Sequence, residues 1–218
     1  MDPAPSIGPA LALLELDSIA AGIEAGDAMA KRAPIDVIRA GTVHPGKYLV
    51  LVGGPVADVE EALEAGREAG ASAVLDVVLL ADVHPDLVPA IRGARGEARG
   101  EALGIIEATT VAATIEAADA GLKGARVRLL ELRLADDLGG KGYLLFDGRV
   151  ADVEAAVEIG TARIAGSPGV VARVIAQLHG EMAANLAGDA RFGARIRSAD
   201  GSGGPVSPSL AVPDPKGR

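Results

Sequence analysis

The chain has 218 residues, 49% of them hydrophobic, which is enough to bury one large core or two cores of about 100 residues each. Its net charge of −9 and its few aromatic residues (two Tyr, two Phe, no Trp) argue against nucleic acid as a partner, because binding it needs a basic surface and stacking rings. Since there is no cysteine, the sequence excludes disulfides, thiolate nucleophiles, iron–sulfur clusters and cysteine zinc sites.

The N-terminal leader, residues 1–9, lacks the basic region and the apolar core of a signal peptide. No uncharged apolar run in the sequence reaches the roughly 18 residues that a membrane helix needs. We therefore expect a cytoplasmic protein with no membrane partner.

The predicted elements occur in the same order twice. An apolar strand (residues 11–16 and 102–108) precedes an Ala-rich helix, and Ser18 and Thr110 stand where the N-caps of that helix are expected. The residues that the helical period places on its buried face are Ile19 and Ile23 in the first copy and Val111 and Ile115 in the second.

Each copy continues with two strands, a second helix, a fourth strand and a short last helix. The strands are predicted at 35–40 and 127–134, at 48–52 and 142–146, and at 73–80 and 170–178, and the helices begin near residues 55 and 149 and at His84 and His179. The order β-α-β-β-α-β with an added helix is that of a ferredoxin-like unit. It predicts an α+β fold with antiparallel sheets covered by helices.

The two copies are related by a tandem duplication. Leu14-Glu15 matches Ile106-Glu107 at an offset of 92 residues, and Gly46-Lys47 matches Gly140-Lys141 at an offset of 94. The segment Val-Ala-Asp-Val-Glu at 56–60 recurs unchanged at 150–154. Agreement in order, spacing and residue type is the signature of an internal repeat.

The repeat also sets the expected domain limits. A polar, Gly-rich segment over residues 92–100 separates the copies, so we predict a first domain at 10–96, a linker at 97–100 and a second domain at 101–197. From residue 198 to 218 the sequence is rich in Ser, Gly and Pro without periodicity, which predicts a flexible C-terminal tail.

Three segments carry a resemblance to a known family. They are Ala-Leu-Gly-Ile-Ile-Glu at 102–107, Ile-Glu-Ala-Ala-Asp-Ala-Gly-Leu-Lys at 115–123, and the run that begins Gly-Tyr-Leu-Leu-Phe-Asp-Gly at 142. All three resemble the bacterial microcompartment shell domain, and two such units in one chain resemble its tandem-domain class. The resemblance covers about residues 10–195.

The resemblance implies a structural protein without catalytic residues, cofactor or metal. It implies a homotrimer whose six domains form a pseudohexagonal tile that packs beside other shell proteins, both hexameric and pentameric tiles. A central pore would pass small metabolites. The loop at His44 most resembles the tandem shell proteins of propanediol-utilisation compartments, in which a cysteine at this place holds an iron–sulfur cluster; this chain has no cysteine, so that role does not carry over.

The site residues follow from the same resemblance. The loop between the second and third strands would line the pore, through Thr42, Val43, His44, Pro45 and Gly46 in the first copy and Ala135, Asp136, Asp137, Leu138 and Gly139 in the second. The tile-edge lysine of the family matches Lys31 and Lys123. The arginine that often stands two residues before the later histidine in this family is replaced here by Asp82 and Gln177, before His84 and His179, so the resemblance implies that these edges prefer a different neighbour.

Several of these residues also have simpler interpretations. His44 is either a solvated loop histidine or part of a ring of three, with a three-histidine metal site as a further alternative. Asp136-Asp137 is either an acidic collar or an ordinary turn, and Lys47 and Lys141 either flank the pore or extend into water. For His84 and His179 the sequence favours a structural role at the turn before the last helix.

No nucleotide or hydrolase motif is complete. The glycines at 53–54 and 139–142 form neither a P-loop nor a dinucleotide fingerprint, and no nucleophile elbow exists. Two other classes remain open from the residues alone: a small-molecule-binding regulator built from duplicated ferredoxin-like domains, and an enzyme that uses Asp58, Asp152 or His44.

Overall fold

The structure is a computed structural model that describes residues 8–188 and residue 192. The first copy contains β1 (Ala10–Leu16), α1 (Ile19–Arg32), β2 (Val37–Val43), β3 (Lys47–Gly54), α2 (Val56–Gly70), β4 (Val74–Leu80) and α3 (Leu87–Ile91). The second contains β5 (Ala102–Ala108), α4 (Val111–Gly124), β6 (Arg128–Leu134), β7 (Gly142–Gly148), α5 (Val150–Arg163), β8 (Val171–Ala176) and α6 (Gly180–Ala187).

The strands form two antiparallel sheets of identical topology. Their orders are β2-β3-β1-β4 and β6-β7-β5-β8, so the first strand of each copy lies in the middle of its sheet. The predicted α+β fold and its duplication are therefore confirmed.

Strand β1 is buried on both faces. Leu14 and Leu16 pack under α1 and α2, whereas Leu11 and Leu13 share a hydrophobic core with residues of the second copy. Because side chains alternate across a strand, one strand serves both the core of its own copy and the boundary with the other copy.

The helix caps agree with the sequence prediction. The Ser18 hydroxyl accepts from the amide of Ala21, and the Thr110 hydroxyl accepts from the amide of Ala113, each at 3.3 Å. Each bond satisfies one of the amides that the first turn of a helix leaves unpaired.

The burial predicted for the first helix of each copy is correct in the second copy and wrong in the first. Val111 and Ile115 of α4 are fully buried, but the matching Ile19 and Ile23 of α1 are 42% and 57% exposed. The reason is that α4 packs against β1 and β4 of the first copy, whereas nothing in the described part of the chain covers the same face of α1.

The start of the third helix also differs from the prediction. Helix α3 begins at Leu87 rather than at His84, because the segment between them forms a turn. In that turn the amide of Leu87 donates to the carbonyl of His84 at 3.0 Å. In the second copy, α6 begins directly after His179, as predicted.

The segment between the copies is bound to the second sheet. The amide of Gly96 donates to the carbonyl of Leu130 at 2.7 Å, and the amides of Arg99 and Gly100 donate to the buried carboxylate of Asp147.

The domain limits themselves stay a prediction, and the predicted tail at 198–218 and most of the leader lie outside the described residues. No helix in the described part combines the length and the hydropathy that crossing a bilayer requires.

Candidate pore loops and the boundary between the two domains

The first candidate loop is a tight turn between β2 and β3. Val43 pairs with Lys47 at the end of the ladder, and the amide of Gly46 donates to the carbonyl of Val43 at 2.9 Å. Gly46 has a φ of 110°, which glycine adopts without strain. His44 and Pro45 are exposed at the tip of the turn, so the described part of the chain leaves them available.

The second candidate loop is longer and more irregular. The amide of Ala135 donates to the carbonyl of Lys141 at 2.9 Å and closes the loop, while the amide of Leu138 donates back to Ala135 at 3.0 Å. Asp137 and Gly139 both have a φ of 63°, in the left-handed region. The side chains of Asp136 and Asp137 are exposed, whereas Ala135 is completely buried.

The two loops lie against each other. The Lys47 ammonium, just after the first loop, donates to the carbonyl of Gly140 in the second loop at 3.1 Å. A Cβ atom added to Gly140 would lie 3.0 Å from Cδ of Pro45, so the second loop packs closely against the ring of Pro45. The fold thus brings the two sets of predicted site residues to one place.

Lys47 is also part of a buried polar network at the boundary between the copies. Its ammonium lies 2.7 Å from Oε1 of Glu15, whose side chain is completely buried. The other oxygen of Glu15 accepts from the amides of Val111 and Ala112 at 2.7 and 3.3 Å, which are the first two residues of α4. A carboxylate there satisfies unpaired amides and interacts favourably with the helix dipole.

This network is the main functional feature that the sequence did not reveal. Sequence reasoning placed Lys47 either beside the pore or in water, but its side chain is 17% exposed and is directed into the boundary. The available signal was Glu15 itself, an acid inside an otherwise apolar strand.

Further polar contacts cross the same boundary. Asp76 accepts from the Thr110 hydroxyl at 2.5 Å, and Asp119 accepts from the amide of His84 at 2.9 Å. Lys123 forms an ion pair with Asp119 and also donates to the carbonyl of Asp82. Lys123 therefore lies at the boundary within the chain, and its role at a tile edge stays a prediction.

The matching residues on the outer faces are exposed. Lys141 and Glu107, the counterparts of Lys47 and Glu15, are 2.7 Å apart with side chains 53% and 40% exposed. Lys31, the second predicted edge lysine, pairs with Asp27 at 2.6 Å, and both side chains are mostly exposed. The polar groups that hold the two copies together thus recur on the outer faces, where the described chain offers them no partner domain.

His84 and His179 have the structural role that the sequence favours. In each case Nδ1 accepts from the backbone amide two residues later, that of Asp86 at 3.2 Å and that of Glu181 at 3.3 Å. Among the described residues, no group of three or more His, Cys, Asp or Glu side chains could hold a metal ion.

One ionisable group outside the boundary is strongly perturbed. Burial, followed by the charge of the nearby Glu131 carboxylate, raises the pKa of Tyr143 to about 12. Glu131 is itself 2% exposed and forms an ion pair with Arg95 of the segment between the copies. This cluster holds that segment to the second sheet and is separate from the two loops.

Comparison with known proteins places the chain in a family. The BMC domain matches twice, at residues 10–83 and 102–178. The chain is 38% identical over 162 residues to the bacterial microcompartment shell protein PduT of Citrobacter freundii, across 74% of this chain and 88% of that protein.

Solved structures agree with that match. A microcompartments protein from Desulfitobacterium hafniense is 41% identical, with a TM-score of 0.67 over 79% of this chain and 97% of that chain. A fused permuted hexameric shell protein of the RMM microcompartment is 20% identical, with a TM-score of 0.54 over 73% of this chain and 86% of that chain, and supports the fold alone. The chain therefore belongs to the bacterial microcompartment shell proteins, a structural family, as a member with two BMC domains in tandem.

Proposed function

We propose that three copies of this chain form a pseudohexagonal tile of a microcompartment shell, with a central pore lined by the two loops. In this homotrimer the first loop contributes Thr42, Val43, His44, Pro45 and Gly46, and the second contributes Asp136, Asp137, Leu138 and Gly139. The tile acts as a barrier and a selective opening for small metabolites and performs no chemistry. Its partners are other shell tiles, which it meets at edges that include Lys31 and the part of the Lys123 side chain that the domain boundary leaves exposed.

The observation that carries the proposal is the contact between the two loops. The bond from Lys47 to the carbonyl of Gly140 makes the loops of the two domains neighbours, which is the arrangement that a shared pore would require. Each domain has one edge bound to the other domain of the chain. The edge that is bound in the first domain, at Glu15 and Lys47, is exposed in the second, at Glu107 and Lys141. Repetition of one heterologous contact either closes into a ring or grows into a filament, and six similar domains suit a closed ring of three chains.

The chemistry of the rim would alternate around such a ring. Three loops would present His44 and Pro45, and three would present Asp136 and Asp137, all of which are exposed in the single chain. Carboxylates at a narrow opening attract cations and repel anions. The loops differ in length and charge, and a tandem chain imposes that alternation on a sixfold-like opening.

Sedimentation of the purified chain tests the assembly. We expect one species with three times the mass of the chain, and incorporation into sheets or shells when a hexameric shell protein is co-expressed. A monomer that enters no shell would overturn the proposal.

A further inference from the structure

We infer that the first domain has a binding site for a small amphipathic anion, a molecule with a hydrocarbon body and a carboxylate head. The site is a cavity of about 340 Å³ on the face of the first sheet that lies opposite α1 and α2. The cavity is present in the single chain, so the inference goes beyond the shell assembly proposed above.

The walls of the cavity are mostly apolar. Strands β1, β2 and β3 and helix α3 of the first domain supply Leu13, Val37, Val43, Leu49, Leu51 and Ile91. Leu134 of the second domain forms part of the wall at the domain boundary. Among these side chains Leu13, Val37 and Leu51 are buried, so the floor of the cavity is packed. A cavity of this size lined by aliphatic side chains suits the hydrocarbon part of a small molecule.

The ionisable groups at the cavity are basic. Arg39 of β2 and Arg92 at the end of α3 line it, and none of the lining residues in the described part of the chain is an Asp or a Glu. The guanidinium of Arg39 is exposed and donates to the carbonyl of Ile38 at 2.8 Å. It forms no ion pair within residues 8–188, which leaves N–H groups for a carboxylate. Charge complementarity therefore favours an anion.

The duplication provides an internal comparison for this charge. Arg39 pairs with Leu51 in the first sheet and Glu131 pairs with Leu145 in the second, so Glu131 is the counterpart of Arg39. Glu131 has a cation within the chain, because Arg95 lies 3.0 Å from its carboxylate. An anion bound beside Arg39 would form in the first domain the kind of ion pair that the second domain makes internally.

The same comparison accounts for the open volume. Leu49 pairs with Glu15 and Tyr143 pairs with Glu107, so the second domain has a tyrosine where the first has a leucine. The Tyr143 side chain packs against the apolar residues of the second sheet and lies close to Glu131. The smaller Leu49 leaves that space open, and it lines the cavity. Since packed proteins contain few large voids, an opening of this size is typical of a binding site.

The cavity lies beside both candidate loops. Thr42 and Val43, two of the predicted pore residues, line it. Leu134 is the last residue of β6, directly before the second loop. A bound anion would therefore contact the strands that lead into the two loops, next to the proposed opening. This relation to a pore rests on the proposed function, whereas binding of the anion does not.

Calorimetric titration of the full chain tests the site with three probes that share one hydrocarbon chain: octanoate, octan-1-ol and octylammonium. We expect octanoate to bind at one site per chain, at least about tenfold more tightly than octylammonium, with octan-1-ol between them. Because Arg39 is exposed, added salt should weaken the binding of octanoate more than that of octan-1-ol.

Two variants copy residues of the second domain into the first. Leu49→Tyr fills the cavity and should weaken the binding of octanoate and octan-1-ol alike, by at least about tenfold. Arg39→Glu reverses the charge beside the cavity and should reverse the preference, so that octylammonium binds more tightly than octanoate. The matched control is Arg32→Glu, which makes the same change of charge at an exposed arginine of α1 and should leave all three affinities unchanged.

The outcomes decide the proposal in either direction. A wild-type protein that does not bind octanoate, or that binds octanoate and octylammonium equally, overturns the site. Octanoate binding that Arg39→Glu or Leu49→Tyr leaves unchanged occurs elsewhere and overturns it too. Arg39 is exposed, so its variant decides the question even where Leu49→Tyr impairs folding. Sedimentation as a monomer would overturn the proposed function, whereas the titration decides the site for a monomer and a trimer alike.

Discussion

The ammonium of Lys47 lies 2.7 Å from the completely buried carboxylate of Glu15, and this pair connects the first candidate loop to the start of a helix in the other domain. Lys47 also donates to the carbonyls of Thr109 and Gly140, so one side chain joins three segments of the chain. The position of the two loops relative to each other therefore depends on this ion pair, which lies at the boundary between the two domains.

The first prediction concerns that pair. Glu15→Gln should lower the free energy of unfolding by about 1–3 kcal/mol, because it removes the negative charge from a buried lysine and from two helix amides. The measurement is urea denaturation at a fixed chain concentration, since assembly also contributes to apparent stability.

The control for this prediction is an exposed ion pair of similar geometry. Glu97 and Arg99 are 2.7 Å apart with side chains 62% and 71% exposed. Exposed pairs contribute at most about 1 kcal/mol, so Glu97→Gln should have a small effect. Equal losses for the two variants would contradict the importance of the buried network.

The second prediction compares two glycines of α1 that are four residues apart. A Cβ atom at Gly22 would lie 2.5 Å from Cβ of Tyr48, whereas at Gly26 the nearest atom is Cγ2 of Val50 at 3.6 Å. Alanine has the higher helix propensity, so Gly26→Ala should stabilise the protein by about 0.5–1 kcal/mol. Gly22→Ala should destabilise it by about 1–3 kcal/mol, because Tyr48 must move. Thermal unfolding of both variants checks the opposite signs.

Much of the fold is predictable from the sequence because local signals and the repeat agree. The caps Ser18 and Thr110 and the order of strands and helices are examples. Burial at the domain boundary is not predictable in the same way, since Ile23 and Ile115 have the same helical environment in sequence but different neighbours in space. The register shift in β6 between Leu129 and Glu131 likewise has no local signal.

The candidate site was likewise predictable only in part. The loops at His44 and at Asp136 were predicted through the family resemblance, and the structure brings their segments together. The role of Lys47 was missed because its partner, Glu15, is 32 residues earlier and the helix that this acid binds begins 96 residues after the acid. Contacts at such separations are determined by packing of whole domains, which no local pattern encodes.

The third prediction concerns the ion pair that holds the segment between the domains. Arg95 lies 3.0 Å from Oε2 of Glu131, and Oε1 of this buried acid has no hydrogen-bond partner among the described residues. Arg95→Met should cost about 3–5 kcal/mol of unfolding free energy, because it leaves a buried charge uncompensated. Arg95→Met with Glu131→Met should recover most of that loss. A double variant as unstable as the single one would show that Arg95 acts through packing or its backbone contacts instead.

The fourth prediction is a pH dependence. Burial and the charge of Glu131 raise the pKa of Tyr143 to about 12 in the folded protein, above its value of about 10 in an unfolded chain. The folded state therefore holds this proton more tightly, so its contribution to stability is complete below about pH 10 and declines as the pH rises toward 12. In a Tyr48→Phe background, the ultraviolet absorbance of tyrosinate should appear near pH 10 in concentrated urea and near pH 12 without it. Coincident titrations would contradict the assignment, and Glu131→Gln should shift the folded-state titration to lower pH.

The last prediction concerns selectivity at the proposed pore. Asp136 and Asp137 are exposed in the second loop, and three copies of the pair around one opening would favour cations over anions. Asp136→Asn with Asp137→Asn should therefore shift the reversal potential toward anions when the trimer is reconstituted in a planar bilayer under a salt gradient, while sedimentation stays that of a trimer. The matched control is Asp58→Asn with Asp152→Asn, which removes the same charge from α2 and α5, away from the loops. Because exposed charges are screened beyond about 10 Å at ordinary salt, the control should leave the reversal potential unchanged. An equal shift in both variants would show that net charge, rather than a ring of carboxylates at the opening, sets the selectivity.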